Sequence, residues 1–384
     1  MNPVERTVML GVPLARLGMR ETVEWIDGAI ATGASHQVAT ANVNFLALGH
    51  RDPEFLRILQ DASLVTCDGV PLCWMSRLQG APLTERVAGA DLVPLLCDLA
   101  HQRGYRLFFM GPAGSTEEAA RRLRVRYPGL EIVGTEAPPY GPIETWDNRA
   151  YCARIREARA DLLLVGFGAP KQERWIARHL EETGVPVAIG VGATFDYIAG
   201  RVARAPVALQ ATGLEWVWRI WAEPRRLWRR YLLDAVVVGP RLARQVWTSH
   251  RAERRFRRDT GGRVRLRRVG RRGEVFVLSL VGSFPDDRLD LLRQAAQGVR
   301  GSPLGLIADL TEARFLAPTV LGELTALVGW IRATGGAAAI VASPAAHRQL
   351  EAAGLASLAP AYPSVSEAVG RLVRERARRV AVAA

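Results

Sequence analysis

The stretch Asp161-Leu162-Leu163-Leu164-Val165-Gly166-Phe167-Gly168-Ala169-Pro170-Lys171-Gln172-Glu173 decides how the chain is read. Residues 161–167 are almost continuously apolar, the pattern of a strand buried on both faces of a sheet. Glycines then open a loop, and Pro170 begins an amphipathic helix predicted over 170–183. Outward from this unit, strand-like runs recur at 37–40, 63–67, 105–110, 130–135 and 187–191. Helical patterns fall between them, at 19–32, 53–62, 90–103, 115–127 and 145–159. The alternation predicts an α/β fold, a parallel Rossmann-like sheet with helices on both faces. In such sheets ligands bind outside the carboxyl ends of the strands.

The 384 residues suit two domains. Residues 1–212 read as the α/β domain, 213–245 as a Trp/Arg-rich helical appendage and 246–272 as a basic linker. The pattern restarts over 273–384, with strands at 274–280, 304–310 and 337–342, helices at 319–333 and 344–353, and a closing helix at 366–379. No apolar run reaches the roughly 20 residues that span a bilayer. The start, MNPVERTVML, lacks the charged and apolar regions of a secretory signal. The cysteines, Cys67, Cys73, Cys97 and Cys152, form no CxxC pair and read as reduced thiols.

Net charge is +13, and it is concentrated. From Arg219 to Arg272 there are 18 arginines against four carboxylates, so the rest of the chain is close to neutral. The belt also holds Trp216, Trp218, Trp221, Trp228 and Trp247, half of the ten tryptophans. Indole and guanidinium together suit a membrane interface, where rings sit at headgroup depth and arginines meet lipid phosphates. A single-stranded nucleic acid surface and a packed helix with a solvated face are the rivals. The membrane reading is preferred, with no nucleic acid partner.

Each strand end of the first domain carries a polar or glycine-bearing element: Thr40-Ala41-Asn42, Asp68-Gly69, Gly111-Pro112-Ala113-Gly114-Ser115, Gly168 to Glu173, and Gly192 to Asp196. Loops on one edge of a parallel sheet converge, so these should line one cleft. Gly111 precedes a helix start that could hold a phosphate, or else forms a turn with Ser115 as N-cap. Lys171, the one lysine of the chain, and Gln172 put donors in the first turn of a helix. Asp68 could take a proton from an attacking hydroxyl, or could only shape its loop. Asp196 is a second candidate, for that role or for ribose. The six histidines make no HExxH or HxH pattern, so neither a metal nor a cofactor is expected. A phosphate-bearing ligand held without a metal would need arginines and backbone N–H groups. Arg86, Arg204, Arg219, Arg226 and Arg229 are available.

In order, Thr40-x-Asn42, Asp68-Gly69, Glu85-Arg86-Val87-Ala88-Gly89, Gly166-x-Gly168-Ala169-Pro170-Lys171-Gln172-Glu173, Gly190-Val191-Gly192, Phe195-Asp196, Arg204-Ala205-Pro206 and Leu214-Glu215-Trp216 resemble the WecB/TagA/CpsF glycosyltransferases over roughly residues 8–245. The resemblance implies transfer of N-acetylmannosamine, its uronic acid or glucose from a UDP-sugar to a polyprenyl-diphosphate-linked sugar. The setting it implies is cytoplasmic and peripheral, at the inner face of the plasma membrane, in cell-surface polysaccharide synthesis, with a homo-oligomer as one outcome. It makes Asp68 the general base, with Thr40 and Asn42 beside it and Gln172 and Asp196 in the cleft. Arg219, Arg226 and Arg229 would reach the donor diphosphate and the membrane.

The second domain resembles a STAS, or anti-sigma-factor-antagonist, domain through Leu306-Ile307-Ala308-Asp309-Leu310-Thr311 and Phe315 to Gly322. Ala317-Pro318 stands where such domains carry Asp-Ser, so a phosphorylation switch is not expected. Thr319 reads as a helix N-cap, and the domain as a stabilising or protein-binding module. The alternative is a non-enzymatic scaffold with a degenerate first domain. A dinucleotide-dependent oxidoreductase is disfavoured, because no full fingerprint follows the first strand.

Overall fold

The structure, a computed structural model, describes all residues except 1–3, 207–208, 210–214, 223, 257–260, 271–274, 301–304 and 384. For residues 219, 222, 224, 226 and 376–383 it describes the backbone alone. The chain divides into two compact units. The first is Met1–Val4, Ala15–Trp74 and Leu83–Val238, and the second is Glu5–Leu14, Met75–Pro82 and Gly239–Ala384.

A short hairpin, β1 (Arg6–Met9) and β2 (Val12–Ala15), comes first, followed by α1 (Met19–Thr32) and β3 (His36–Ala41). Then come α2 (Val43–Arg51), α3 (Pro53–Asp61), β4 (Leu64–Cys67), α4 (Val70–Leu78), α5 (Gly89–Arg103), β5 (Leu107–Met110), α6 (Ser115–Arg126) and β6 (Ile132–Glu136). The unit continues through α7 (Asn148–Glu157), β7 (Leu162–Val165), α8 (Lys171–Thr183), β8 (Val187–Gly190) and α9 (Thr194–Ile198). Helices α10 (Glu215–Ala222) and α11 (Pro224–Phe256) follow.

The first unit is built on a six-stranded parallel sheet in the order β4-β3-β8-β7-β5-β6. The apolar strands do bury both faces. Leu162 and Leu164 join one core with Phe109 and Phe195, while Leu163 and Val165 join another with Phe108 and Trp175. Local chemistry sets the helix starts. Asp52 accepts from the Phe55 N–H ahead of α3, Asn42 accepts from the Asn44 N–H ahead of α2, and Asp147 accepts from the Ala150 N–H ahead of α7. Gly114, not Ser115, occupies the cap position of α6. Cys67 and Cys73, six residues apart, bring their thiols within 3.6 Å of each other.

In the second unit the elements after α11 are β9 (Arg263–Val269), β10 (Val275–Phe284), α12 (Leu289–Arg300), β11 (Gly305–Leu310), β12 (Ala313–Leu316), α13 (Pro318–Ala333), β13 (Ala338–Ala342), α14 (Pro344–Ala352) and α15 (Val365–Ala383). Strands β12, β10, β11 and β13 run parallel in that order, and β9 pairs antiparallel with β10, giving a mixed sheet. Residues 246–272, expected as a basic linker, instead include the end of α11 and strand β9. In β9 the arginines at 263, 265, 267 and 268 are exposed, and Val264, Leu266 and Val269 are half-buried. Thr319 is not the N-cap of α13. Ala317 is, with Pro318 in the first turn, and the buried Thr319 hydroxyl donates to Asp286.

Hairpin strand β1 belongs to this second unit and packs on α13. Val8 joins the core around Leu278, Leu324 and Val328. Its carbonyl accepts from Gln79 at 2.9 Å and from Gln245 at 2.8 Å, and Gln245 in turn accepts from the Leu10 N–H. The approach requires Gly322, because a Cβ there would lie 2.5 Å from the Arg6 carbonyl oxygen. Gly322→Ala should therefore lower the melting temperature of the full chain by several degrees, for a cost of about 1–3 kcal/mol of overpacking. An unchanged melting temperature would contradict that packing.

Candidate functional site

A cavity of about 400 Å³ opens in the first unit at the carboxyl ends of β3, β4, β7 and β8. It is built from hydrogen bonds between strand ends. Thr40, buried at the end of β3, donates through Oγ1 to the Gly190 carbonyl at 2.9 Å and so joins β3 to β8. The Asp68 N–H donates to the Ala41 carbonyl at 2.7 Å and carries the β3–β4 pairing one residue past the strand. That places Asp68 beside Asn42.

Gln172 fixes the other side. Its Oε1 accepts from both the Gly168 and the Gly192 N–H groups, each at 3.0 Å, and so ties the loop after β7 to the loop after β8. Its Nε2 donates to Oε1 of Glu173 at 2.6 Å. Gly190 is needed beneath this pair, because a Cβ would meet Gln172 Nε2 at 2.5 Å and Glu173 Oε1 at 2.7 Å. Glu173 is fully buried, and its Oε2 has no partner among the described residues. Burial pushes its carboxyl up to about 7, against the opposing hydrogen bond from Gln172.

On the opposite wall, Arg86 and Glu215 line the cavity and are paired, with Asp91 and Arg204 behind them outside the lining. Arg86 donates to Glu215 and to Asp91, both at 2.8 Å, and Arg204 donates to Asp91 at 2.7 Å. Nε and Nη2 of Arg204 are buried without a hydrogen-bond partner among the described residues. Helix α11 closes this wall with Leu227, Arg230, Tyr231 and Asp234, spaced i, i+3, i+4 and i+7 on one face.

Of the residues singled out in the sequence, Thr40, Asn42, Asp68, Arg86 and Gln172 line the cavity. Others take different places. Gly111 follows β5, beyond β7 from the cavity strands, and packs under the Phe195 ring. Asp196 turns away to accept from the Ser115 hydroxyl at 2.5 Å. Lys171 donates to the Gly141 carbonyl at 2.7 Å and lies over the Tyr140 and Trp146 rings. Arg229 is exposed, with its guanidinium over Trp228. The side chains of Arg219 and Arg226 lie outside the described residues. The sequence reading assigned no role to Tyr197, Glu215, Arg230, Tyr231 or Asp234, which line the cavity. The i, i+3, i+4, i+7 spacing from Leu227 to Asp234 was the available signal. One group of metal-ligating type occurs among the described residues, Cys152, His179 and Glu182 on α7 and α8, and none of the three lines the cavity.

Residues 7–252 match the family described as glycosyl transferase WecG/TagA/CpsF. An N-acetylglucosaminyldiphosphoundecaprenol N-acetyl-beta-D-mannosaminyltransferase of Bacillus spizizenii is 34% identical over 201 residues, covering 52% of this chain and 75% of the relative. A protein of the same description from Staphylococcus aureus is 29% identical over 224 residues, covering 58% and 86%. Among solved structures, an anti-sigma factor antagonist from Mycobacterium paratuberculosis is similar at 24% identity with a TM-score of 0.27, covering 29% of this chain and 94% of that one.

Glu173 makes stability depend on pH. Unfolded, its carboxyl loses its proton near 4.5, and folded only near 7. Between those values the folded state holds the extra proton, so its contribution to stability falls as pH rises through the window and stays low above it. Glu173→Gln keeps the acceptor for Gln172 and removes the titration. Its melting temperature should exceed that of the wild type at pH 8 and converge on it at pH 5. A gap that does not change with pH would count against the burial argument.

Proposed function

The chain belongs to the glycosyl transferase WecG/TagA/CpsF family, and from that premise we propose that it moves a sugar from a UDP-sugar to a polyprenyl-diphosphate-linked sugar, with inversion and without a metal. N-acetylmannosamine is the first candidate for the transferred sugar, since the relatives' descriptions name its transfer to N-acetylglucosaminyldiphosphoundecaprenol. Its uronic acid and glucose are the others. The product would feed a cell-surface polysaccharide, and the enzyme would work at the inner face of the plasma membrane.

The observation that carries this reading is helix α11, which has two working sides. One side walls the cavity. On another, Trp228, Leu232, Leu233 and Val236 are exposed, with Trp221 exposed on α10. Arg225, Arg229 and Arg230 are exposed nearby. Apolar side chains flanked by guanidiniums suit the headgroup region of an anionic bilayer. Among the described residues no helix is long and apolar enough to cross a membrane. The lipid-linked acceptor would therefore be met from the surface.

At the reacting centre, Asp68 takes the proton of the acceptor hydroxyl as its oxygen attacks the anomeric carbon. The bond from that carbon to the UDP oxygen breaks on the opposite side, which inverts the configuration. UDP leaves with the electron pair, and guanidiniums and backbone N–H groups at the strand ends stabilise the charge that develops. Asn42 and Thr40 hold the strand ends that carry Asp68 rather than reacting themselves.

Asp68→Asn keeps the shape and removes the base, so turnover should drop by about 10² to 10⁴. Product formation from a panel of UDP-sugars and a short-chain polyprenyl-diphosphate-N-acetylglucosamine, read by mass spectrometry with and without EDTA, measures this. Near-normal turnover by the variant would overturn the assignment of the base, and product lost with EDTA would overturn the metal-free chemistry. The surface has its own test. Burial of each large apolar side chain is worth about 1.5–3 kcal/mol. The double variant Leu232→Glu/Val236→Glu should therefore co-sediment at least about tenfold less with phosphatidylglycerol vesicles. Equal sedimentation of the two proteins would sink the membrane reading.

A further inference from the structure

We infer that Asp234 grips the acceptor sugar, its carboxylate accepting a hydrogen bond from a ring hydroxyl or an acetamido N–H. The inference rests on the transferase reading above. Asp234 lines the cavity from α11 and is only 5% exposed. Among the described residues it makes neither a hydrogen bond nor an ion pair. Arg230, one turn earlier, and Arg51 act on it electrostatically, but burial outweighs them and raises its carboxyl above the ordinary range.

The side chain is nearly buried, yet its oxygens are not among the sealed atoms that lack a partner, so the carboxylate opens on the cavity. A ligand there can provide a donor that none of the described residues supplies. The sign of the charge narrows what that ligand group is. A diphosphate offers acceptors and negative charge, and Asp234 would repel it. A sugar offers hydroxyl and amide donors. The diphosphates are then left to the guanidiniums, with Arg230 a turn away on the same face.

Position separates the two sugars. Asp234 follows directly on Leu232 and Leu233 and precedes Val236, all three exposed and apolar. With Tyr231, which directly precedes Leu232, it forms the part of the cavity wall bracketed by the surface that would meet lipid. The substrate that reaches the cavity from a bilayer is the lipid-linked one, so its sugar lies nearest this turn of α11. Tyr231, three residues back, lines the same wall.

The test uses the full chain, with UDP-N-acetylmannosamine and short-chain polyprenyl-diphosphate-N-acetylglucosamine as substrates, and compares wild type with Asp234→Asn and Asp234→Ala. A hydrogen bond to a charged group sets the expected size of the effect. KM for the acceptor should rise about ten- to hundredfold in Asp234→Ala and less in Asp234→Asn, which keeps an acceptor oxygen. KM for the donor should stay within about twofold. Both variants remove a buried charge, so their melting temperatures should not fall. An effect on acceptor KM is therefore not explained by lost folding.

A rise confined to donor KM, or a fall in kcat with both KM values unchanged, would overturn the inference. Calorimetry with UDP alone separates the two levels. Variants that bind UDP as the wild type does but keep its acceptor KM sink only the role of Asp234. A wild type that binds no UDP removes the transferase reading and this inference together.

Discussion

Two backbone N–H groups, those of Gly168 and Gly192, end on a single oxygen, Oε1 of Gln172, and the geometry of the cavity depends on that junction. The Val191 N–H donates to the Val165 carbonyl at 2.8 Å and holds the strand ends in register, and Gln172 extends that tie into the glycine-bearing loops beyond. The junction comes at a cost. Gln172 is positioned by Glu173, a carboxyl group sunk in the core with one oxygen unpartnered among the described residues. Both side chains crowd β8 so closely that only glycine fits at 190. A buried acid beneath a cavity floor is expensive. Here it orients an amide whose other end fixes two loops, and the rigidity of the floor offsets the expense.

Much of the first unit was legible in the sequence because its strands are apolar on both faces. All six expected strands of the large sheet are present within a residue or two, and α1 spans the expected residues 19–32. What the sequence hid was structure whose signal is short or diluted. The hairpin over Arg6–Ala15 has two four-residue strands, and its buried partners lie hundreds of residues away on α13 and α11. Strand β9 alternates three apolar residues with four arginines, so charge dominates its composition. Helix α12 carries a helical signal in Leu289, Leu292, Ala296 and Val299, which are all buried.

The candidate site divides in a similar way. Residues found by their place at a strand end, Thr40, Asn42 and Asp68, do line the cavity, because strand ends in a parallel sheet have a fixed place. Residues chosen for their chemistry alone fared differently. Lys171 drew notice as the one lysine of the chain, yet its ammonium is held by a carbonyl and two aromatic rings. Asp196 sits one loop from the cavity and is taken up by Ser115. A residue's type says what it can do, and only its neighbours say whether it is available.

The electrostatics of the cavity limit which arginines can serve a diphosphate on the proposed reading. Arg86 was the natural choice from its motif, but Asp91 and Glu215 already satisfy it with two short hydrogen bonds, and together they balance much of the charge of Arg86 and Arg204. A diphosphate arriving at Arg86 would have to displace a carboxylate or share its donors. Arg204 is not among the cavity-lining residues, and its Nη2 lies 4.0 Å from Glu215; Arg230 stands on the cavity wall with no carboxylate ion-paired to it among the described residues. Glu215 is the first residue of α10, so the same ion pair that occupies Arg86 also pins the start of the helical segment whose next helix closes the wall. Arg86 thus reads first as the anchor of that segment. The positive charge left over for a leaving group comes mainly from the helix itself, which is also where the exposed tryptophans and leucines lie. On this view the catalytic charge and the lipid-facing surface belong to one element, and seating that element on a bilayer would set the position of both.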